Sequence, residues 1–393
     1  MKPFVQSRLD QAVTPITLVG GRPVRPREVV LDATATTDVR NHLRGMQAQP
    51  FDSDDSDDWR RAFAPPNVSI EENLGNAQLE LWTRVPEADV DGLVADNTLP
   101  GIHHNSVYFA SGVWDFHHGG GSELPTRVPI EDRLPENTAE GHADLAILDT
   151  GLPANWQQHP ARLRGACGID AFQSPYDLLD ENKDGELDLQ AAHGLFICGL
   201  VRQTEPNVGI EMYRVLSSTG EGDEATIIAT LNHVRGTSVK VVSLSFGLFP
   251  AEVQAGTEPL LAATIRALKS AGKKVVAAAG NAGKDPELAK LTMFPASMAE
   301  VTAVGALDFT YGEKTLAPFS NAADVYVDGV DRVSIYVGWT GVHVPTENAW
   351  AKWSGTSFAV PVVAARLAAH PDDQSIVEQP DSGLPPKSVW PPA

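Results

Sequence analysis

SGTSFAVP, at residues 354–361, places the hydroxyl group of Ser357 between small residues at a point where a helix can begin. A serine is a weak nucleophile at its own pKa, so it needs a base and a carboxylate that orients the base. Small neighbours let a carbonyl group approach closely, and a helix start directs its positive dipole end at a developing negative charge. The stretch therefore predicts a nucleophilic serine at the start of a helix over 357–369. Pro361 is expected in the first turn, where no intrahelical N–H bond is lost.

The two partners that such a serine needs are present upstream. Asp149, in the triplet DTG, follows an apolar run, and His193, in the pair HG, opens another. An imidazole can accept the serine proton and later return it, while a carboxylate holds the ring in the productive tautomer. A fourth motif, AAGNAG at 278–283, places the side-chain amide of Asn281 after a further apolar run.

The region around these motifs alternates between strand and helix patterns. Near-continuous apolar runs, typical of strands buried on both faces of a parallel sheet, occur at 143–148, 239–244 and 274–279. Helical patterns separate them, at 223–234 and 258–271. We predict an α/β domain over 142–369, with a mostly parallel sheet and helices on both faces. Ligands bind at the carboxyl ends of strands in such sheets, which is where Asp149 and Asn281 fall.

The first 116 residues predict a smaller α+β unit. Strands are predicted at 27–33, 68–71, 78–85 and 104–109, helices at 37–44 and 89–97, and a turn at 73–76. The resulting order, βαββαβ, is a ferredoxin-like arrangement. Three further segments lack apolar periodicity, and we predict a solvated acidic loop at 52–58, a linker at 117–141 and an unstructured Pro-rich tail at 370–393.

Together the four motifs resemble those of the subtilases, the subtilisin-like serine peptidases. The order Asp, His, Ser along the chain is that of subtilisin. The resemblance implies a subtilisin-like fold and hydrolysis of peptide bonds through an acyl-enzyme, with Ser357 as nucleophile, His193 as general base and Asp149 as its orienting carboxylate. It also implies that the Asn281 amide and the backbone N–H of Ser357 stabilise the oxyanion.

The same resemblance implies where a polypeptide substrate binds. The corresponding subtilase segment pairs with the extended substrate as an added strand, and here it comprises Ser243, Leu244, Ser245, Phe246 and Gly247. The N-terminal unit resembles a subtilase propeptide in topology only. It would then act as an intramolecular chaperone and inhibitor, and the enzyme would be latent until this unit is cleaved off or displaced.

One departure from the family pattern supports an alternative function. Leu195 stands where subtilases usually carry threonine after the His-Gly pair. The alternative is a catalytically weak or inactive pseudopeptidase that binds extended peptides without cutting them. Retention of all four catalytic groups favours the peptidase.

The segment 180–188, DENKDGELD, resembles the first nine positions of a calcium loop. Its oxygen-bearing residues at positions 1, 3, 5 and 9 are Asp180, Asn182, Asp184 and Asp188. Position 12 is Ala191, where such a loop carries a bidentate carboxylate. No cofactor is required by the predicted chemistry, and structural calcium at this loop is an alternative to a polar insertion.

The amino-acid composition limits which partners the protein is expected to bind and in which cellular compartment it is expected to occur. The net charge of −21, from 51 acidic against 30 basic residues, repels phosphate backbones and argues against nucleic acid. No apolar run is long enough to span a membrane, and residues 1–8 lack the apolar region of a secretory signal. We expect a cytoplasmic protein, or a secreted one if a signal was removed. Cys167 and Cys198 could pair but make no disulfide framework.

Overall fold

The computed structural model of the chain describes residues 12, 15–19, 22–52, 68–110, 125–128, 143–154, 176–248, 259–310, 312–337, 348–376 and 384–389. Its helices are α1 Thr37–Gly45, α2 Ile70–Asn76, α3 Glu87–Ala95, α4 His193–Thr204, α5 Glu224–Arg235, α6 Leu260–Ser270 and α7 Thr356–Ala369. Its strands are β1 Thr17–Val19, β2 Arg22–Leu31, β3 Gln49–Pro50, β4 Glu80–Thr83, β5 Ile102–Ala110, β6 Thr126–Val128, β7 Leu145–Asp149, β8 Ile210–Arg214, β9 Glu221–Asp223, β10 Val241–Leu244, β11 Phe246–Gly247, β12 Lys274–Ala278, β13 Val301–Asp308, β14 Thr315–Leu316, β15 Val325–Asp328, β16 Arg332–Val337 and β17 Asn348–Trp353. None of the helices in these ranges is long and apolar enough to cross a bilayer.

A largely parallel sheet forms the centre of the large domain, in the order β14-β13-β12-β10-β7-β8, with β15 also paired to β13. Alternate residues of its strands face opposite sides. Ala146 and Leu148 join the apolar cluster that contains α5 and α6, whereas Leu145 and Ile147 join the cluster that contains α4 and α7. Because both faces are covered by helices, nearly every strand residue is apolar. The predicted α/β class is confirmed.

The N-terminal unit is built on an antiparallel sheet in the order β5-β2-β4-β3, with β1 paired to β2. Helices α1 and α3 cover one face and surround Trp82 with apolar side chains, among them Val39, Leu43, Val90 and Leu93. Both helices, and strands β4 and β5, lie within two residues of their predicted bounds, whereas β2 begins at Arg22, five residues before the predicted start of its strand.

Residues 70–76 form helix α2, so the predictions of a strand at 68–71 and of a turn at 73–76 were wrong. The side chain of Ser69 accepts a hydrogen bond from Glu72 N at 3.2 Å and caps the helix. Ile70, Asn73 and Leu74 are buried at the spacing of one helical face. The serine with glutamate three residues later is a capping-box pattern, and it outweighs the short apolar alternation.

Strand β5 joins the N-terminal unit to the large domain. Its second half pairs antiparallel with β9, where Tyr108 lies opposite Gly222. Its last residues pair antiparallel with β11, where Ala110 lies opposite Phe246. The two units are therefore connected by main-chain hydrogen bonds as well as by side chains.

Two segments predicted to be irregular make defined contacts. Strand β6, inside the predicted linker, pairs antiparallel with β17. In the tail, Lys387 Nζ donates to the carbonyl oxygens of Met298 and Val301, at 3.0 and 2.7 Å, and forms an ion pair with Asp324 at 2.8 Å. Composition predicted no structure here, because these partners lie far away in sequence. Most of the acidic loop and of the linker lies outside the described ranges.

Candidate active site

Asp149 and His193 meet at the carboxyl end of the central sheet. Asp149 is the last residue of β7, and His193 is the first residue of α4. The distance from Asp149 Oδ1 to His193 Nδ1 is 2.7 Å, and the same carboxylate oxygen accepts a hydrogen bond from Thr150 N at 2.8 Å. This bond places the ring hydrogen on Nδ1 and leaves Nε2 as the acceptor that a general base requires.

Ser357 lies in the first turn of α7, and aromatic rings near it in sequence contact the imidazole. The ring of the next residue, Phe358, lies 5.2 Å from the His193 ring between centroids, and the ring of Trp353 lies 5.4 Å away, edge-on. Asp149, His193 and Ser357 are each 0% exposed. Within the part of the chain that the structure describes, His193 Nε2 has no hydrogen-bond partner, so the bond to a serine hydroxyl is not formed. Catalytic hydrogen bonds of this kind often form only when substrate binds.

Asn281 follows β12 and is held against the start of α7. Its Oδ1 accepts a hydrogen bond from Thr356 N at 2.9 Å. A Cβ atom placed on Gly355 would lie 3.3 Å from Asn281 Nδ2, so the amide group is adjacent to the backbone just before Ser357. The structure thus brings the four predicted catalytic residues to one edge of the sheet.

The predicted substrate segment divides into two parts. Ser243 and Leu244 belong to β10, which pairs with β7 on one side and β12 on the other, so their backbone groups are already occupied. Phe246 and Gly247 form the short strand β11 beyond the sheet. The predicted strand addition by a peptide would therefore use the second part, because the first part lies inside the sheet.

Pro361 lies in the second turn of α7 and not in the first, because the helix already begins at Thr356. Its ring nitrogen cannot donate the helical hydrogen bond that the carbonyl oxygen of Ser357 would otherwise accept. The hydroxyl of Ser245 donates to this carbonyl oxygen at 3.4 Å. The prediction that the proline costs no helical bond was wrong, and a residue of the substrate segment supplies a donor.

One buried carboxylate beside the site carries no recognisable motif in the sequence. Asp177 is 2% exposed and accepts hydrogen bonds from Thr150 Oγ1 at 2.9 Å, Ala192 N at 2.8 Å and Leu179 N at 3.0 Å. Burial raises its pKa from 3.8 to about 7, although Arg214 and these hydrogen bonds act to lower it. No sequence signal identified Asp177, because its partners come from separate segments.

The calcium-like segment makes hydrogen bonds within itself and to Ser218 outside it. Asp180 accepts from Asp184 N at 3.0 Å and from Gly185 N at 3.1 Å. Asp188 instead accepts from Ser218 Oγ at 2.5 Å and from Glu181 N at 2.7 Å. Among the residues described, no group of three or more His, Cys, Asp or Glu side chains is arranged to hold a metal. Calcium at this loop stays a prediction.

The remaining residues that the sequence analysis singled out are Leu195 and the two cysteines. Leu195 is buried in the apolar cluster of α4, and so the position usually held by threonine is filled by core packing. Cys198 is buried on the same helix. Cys167 lies outside the described ranges, and its pairing with Cys198 stays a prediction.

Comparisons of the sequence with a family model and with known proteins point to the same protein family. The model of the subtilase family matches residues 143–373. The Major intracellular serine protease of Bacillus subtilis (strain 168) is 28% identical over 264 residues, which are 63% of this chain and 75% of that protein. The Thermophilic serine proteinase of Bacillus sp. (strain AK1) is 33% identical over 251 residues, which are 60% of this chain and 56% of that protein.

A solved structure supports the fold over a longer range. Fervidolysin from Fervidobacterium pennivorans, described as a keratinolytic enzyme related to subtilisin, superposes with a TM-score of 0.58 at 15% identity. The match covers 92% of this chain and 57% of the fervidolysin chain. The family match includes more than half of the chain and all four motifs, and the subtilisin-like fold agrees with it. The chain therefore belongs to the subtilase family and is a subtilisin-like serine endopeptidase.

Proposed function

We propose that Ser357, His193 and Asp149 form the catalytic triad of this endopeptidase. The observation that carries the proposal is the 2.7 Å bond between Asp149 Oδ1 and His193 Nδ1, beside the helix that begins with Thr356 and Ser357. Ser357 Oγ attacks the peptide carbonyl carbon while its proton passes to His193 Nε2. The C–N bond then breaks, and the same proton goes to the leaving amine. Water hydrolyses the resulting ester with His193 again acting as base.

The negative charge that develops on the carbonyl oxygen needs donors that are already in place. The Asn281 side-chain amide and the Ser357 backbone N–H are the proposed donors, next to the positive end of α7. The bond from Thr356 N to Asn281 Oδ1 supports this role, because it fixes which side of the amide carries the oxygen. The NH₂ group is then directed away from Thr356 N.

A polypeptide substrate would bind as an added strand along Ser245, Phe246 and Gly247. Strand addition gives affinity through main-chain hydrogen bonds, so it does not require a particular amino-acid sequence in the substrate. The support is that β11 already forms an antiparallel pair there, with the end of β5. A peptide and the end of β5 would then compete for the same backbone groups.

We propose on the same ground that the N-terminal unit is an intramolecular inhibitor and folding chaperone. Its strand β5 occupies the edge proposed for substrate, and the triad side chains are fully buried. The enzyme would be latent until this unit is cleaved off or displaced. A cytoplasmic location accords with two relatives whose names describe intracellular serine proteases.

Labelling with a fluorophosphonate probe tests the triad and the latency together. Three proteins are compared, namely wild type, Ser357→Ala and a variant lacking residues 1–141. We expect weak labelling of wild type, strong labelling after truncation and none with Ser357→Ala. Equal labelling of wild type and of the truncated protein would overturn latency. If neither folded protein labels, the triad proposal fails and the peptide-binding pseudopeptidase suggested by Leu195 replaces it.

A further inference from the structure

The chain segments that carry Asp149 and His193 are tied together by a carboxylate that takes no part in the proposed reaction. Thr150 follows Asp149, and its hydroxyl donates to Asp177 Oδ2 at 2.9 Å. Ala192 precedes His193, and its backbone N–H donates to the same oxygen at 2.8 Å. One buried oxygen atom thus accepts one hydrogen bond from each side of the Asp149–His193 pair.

Further contacts make this junction stiff. The hydroxyl of Thr150 also accepts a hydrogen bond from Gly194 N at 3.1 Å. Ala192 adopts a left-handed conformation, with φ of 59°, which is unfavourable for a residue with a side chain. A Cβ atom on Gly194 would lie 2.4 Å from the carbonyl oxygen of Gly151, so the two segments touch through backbone. The carboxylate of Asp177 thus stabilises a backbone conformation that would otherwise relax.

We propose that Asp177 is a positioning residue that sets the geometry of the Asp149–His193 pair, by bridging Thr150 and Ala192. The inference rests on the proposed roles of Asp149 and His193. The bridge requires an oxygen acceptor at this place, because both donors bind the same oxygen atom of Asp177. An alanine side chain has no acceptor, so it leaves the Thr150 hydroxyl and the Ala192 N–H without this bond.

Burying the carboxylate of Asp177 costs free energy, and this cost favours a functional role for the residue. A carboxylate that is nearly fully buried loses its hydration, and Arg214 and the hydrogen bonds to Asp177 offset this loss only in part. Arg214 donates to Glu181 Oε2 and to the carbonyl oxygens of Tyr176 and Leu216. A stable core alone does not require an ionisable group at this place.

The test compares full-chain variants that remove the bridge from either side. Asp177→Ala and Thr150→Val each break it, whereas Thr150→Ser keeps the hydroxyl and should rescue activity. Asp144→Ala is the matched control, because Asp144 is also buried but lies before the opposite end of the strand that carries Asp149. Its side chain pairs with Lys240 at 2.9 Å and touches neither Thr150 nor Ala192 among the bonds described.

Two measurements distinguish a positioning role of Asp177 from an effect on the stability of the protein. The first is steady-state hydrolysis of a peptide, where we expect the kcat of both bridge variants to fall about 10- to 100-fold with KM within about threefold. The second is the NMR resonance of the proton between His193 Nδ1 and Asp149. This proton should resonate far downfield in wild type, Thr150→Ser and Asp144→Ala, and move or broaden in the bridge variants.

The two readouts also separate this inference from the proposed function. Wild type that neither labels nor hydrolyses peptides would contradict the proposed function, while the resonance still reports on Asp177 in the full chain. Bridge variants that are folded, keep the wild-type resonance and retain kcat within about threefold would overturn the positioning role. An equal loss in Asp144→Ala would overturn it as well.

Discussion

At the scale of single residues, two of the four proposed catalytic side chains accept a hydrogen bond from the backbone N–H of a residue that adjoins a proposed catalytic residue. Thr150 N binds the carboxylate of Asp149, and Thr356 N binds the amide oxygen of Asn281. These bonds use N–H groups at a strand end and at a helix start, which have no partner within their own element. The orientation of the side chains is therefore set by the ends of the elements that carry them.

Asn281→Ala should slow the chemical step without weakening substrate binding. We expect kcat to fall by about 10²–10³-fold, the range known for subtilisin when the corresponding donor is removed, and KM to change by less than about threefold. Steady-state kinetics with a peptide substrate measure both constants.

Asn281→Asp is the informative companion variant. Its carboxylate still accepts from Thr356 N but offers a negative charge where the amide offered a donor. We expect a loss of kcat at least as large as that of Asn281→Ala. A kcat within about tenfold of wild type in both variants would show that Asn281 is not an oxyanion donor.

At the scale of elements, helix α7 combines the proposed nucleophile with a proline that interrupts its hydrogen bonding. Pro361 leaves the carbonyl oxygen of Ser357 without its helical donor, and Ser245 Oγ lies 3.4 Å from that oxygen. The hydroxyl thus links the proposed substrate segment to the backbone of the proposed nucleophile. A hydrogen bond within a protein contributes about 0.5–1.5 kcal/mol to stability, which makes this link measurable.

A double-mutant cycle of Ser245→Ala and Pro361→Ala tests the link. In wild type, Ser245→Ala should lower the free energy of unfolding by about 1 kcal/mol. With alanine at position 361, the backbone N–H can reach Ser357 O, and the same substitution should cost much less. Denaturant titration of the four proteins gives the coupling energy. Equal costs of Ser245→Ala in both backgrounds would rule out the link.

At the scale of the whole molecule, a buried polar cluster joins the N-terminal unit to the large domain. Asn105 is fully buried and donates to Glu28 Oε2 at 2.7 Å and Asp223 Oδ1 at 3.0 Å. Its Oδ1 accepts from Ala225 N at 3.1 Å, at the start of α5. Tyr108 on the same strand donates to the buried carboxylate of Glu224 at 3.1 Å. Burial raises the pKa of Glu224, because a charge there is poorly hydrated.

Asn105→Ala should weaken the docking of the N-terminal unit. Glu28, Asp223 and the backbone N–H of Ala225 each lose their hydrogen bond to Asn105, and a penalty of about 1–3 kcal/mol corresponds to about 5- to 150-fold weaker docking. We expect the full chain to react faster with a fluorophosphonate probe by about that factor. Asn41→Ala is the control, since Asn41 is exposed and bonds only to Arg44 among the contacts described. Equal labelling rates for the two variants would contradict a role of Asn105 in latency.

From the sequence alone, the family, the α/β class and the four motif residues could be predicted. Each depends on short contiguous signals, such as an apolar run that ends in Asp149 or a helix start that carries Ser357. Strands buried on both faces of a parallel sheet leave such runs, because every side chain along them must be apolar. The carboxyl ends of these strands then meet at one edge, which predicts that the motifs converge.

Only the tertiary structure showed the bridge through Asp177, the bond from Ser245 to Ser357, the pairing of β5 with β11 and the polar cluster around Asn105. These contacts join residues that are far apart in sequence, and in three cases the essential group is a backbone N–H or C=O, which every residue type offers equally. Asp177 and Asn105 are common polar residues whose importance comes from complete burial beside several partners. Burial of this kind is a property of the assembled fold, and no local pattern in the chain encodes it.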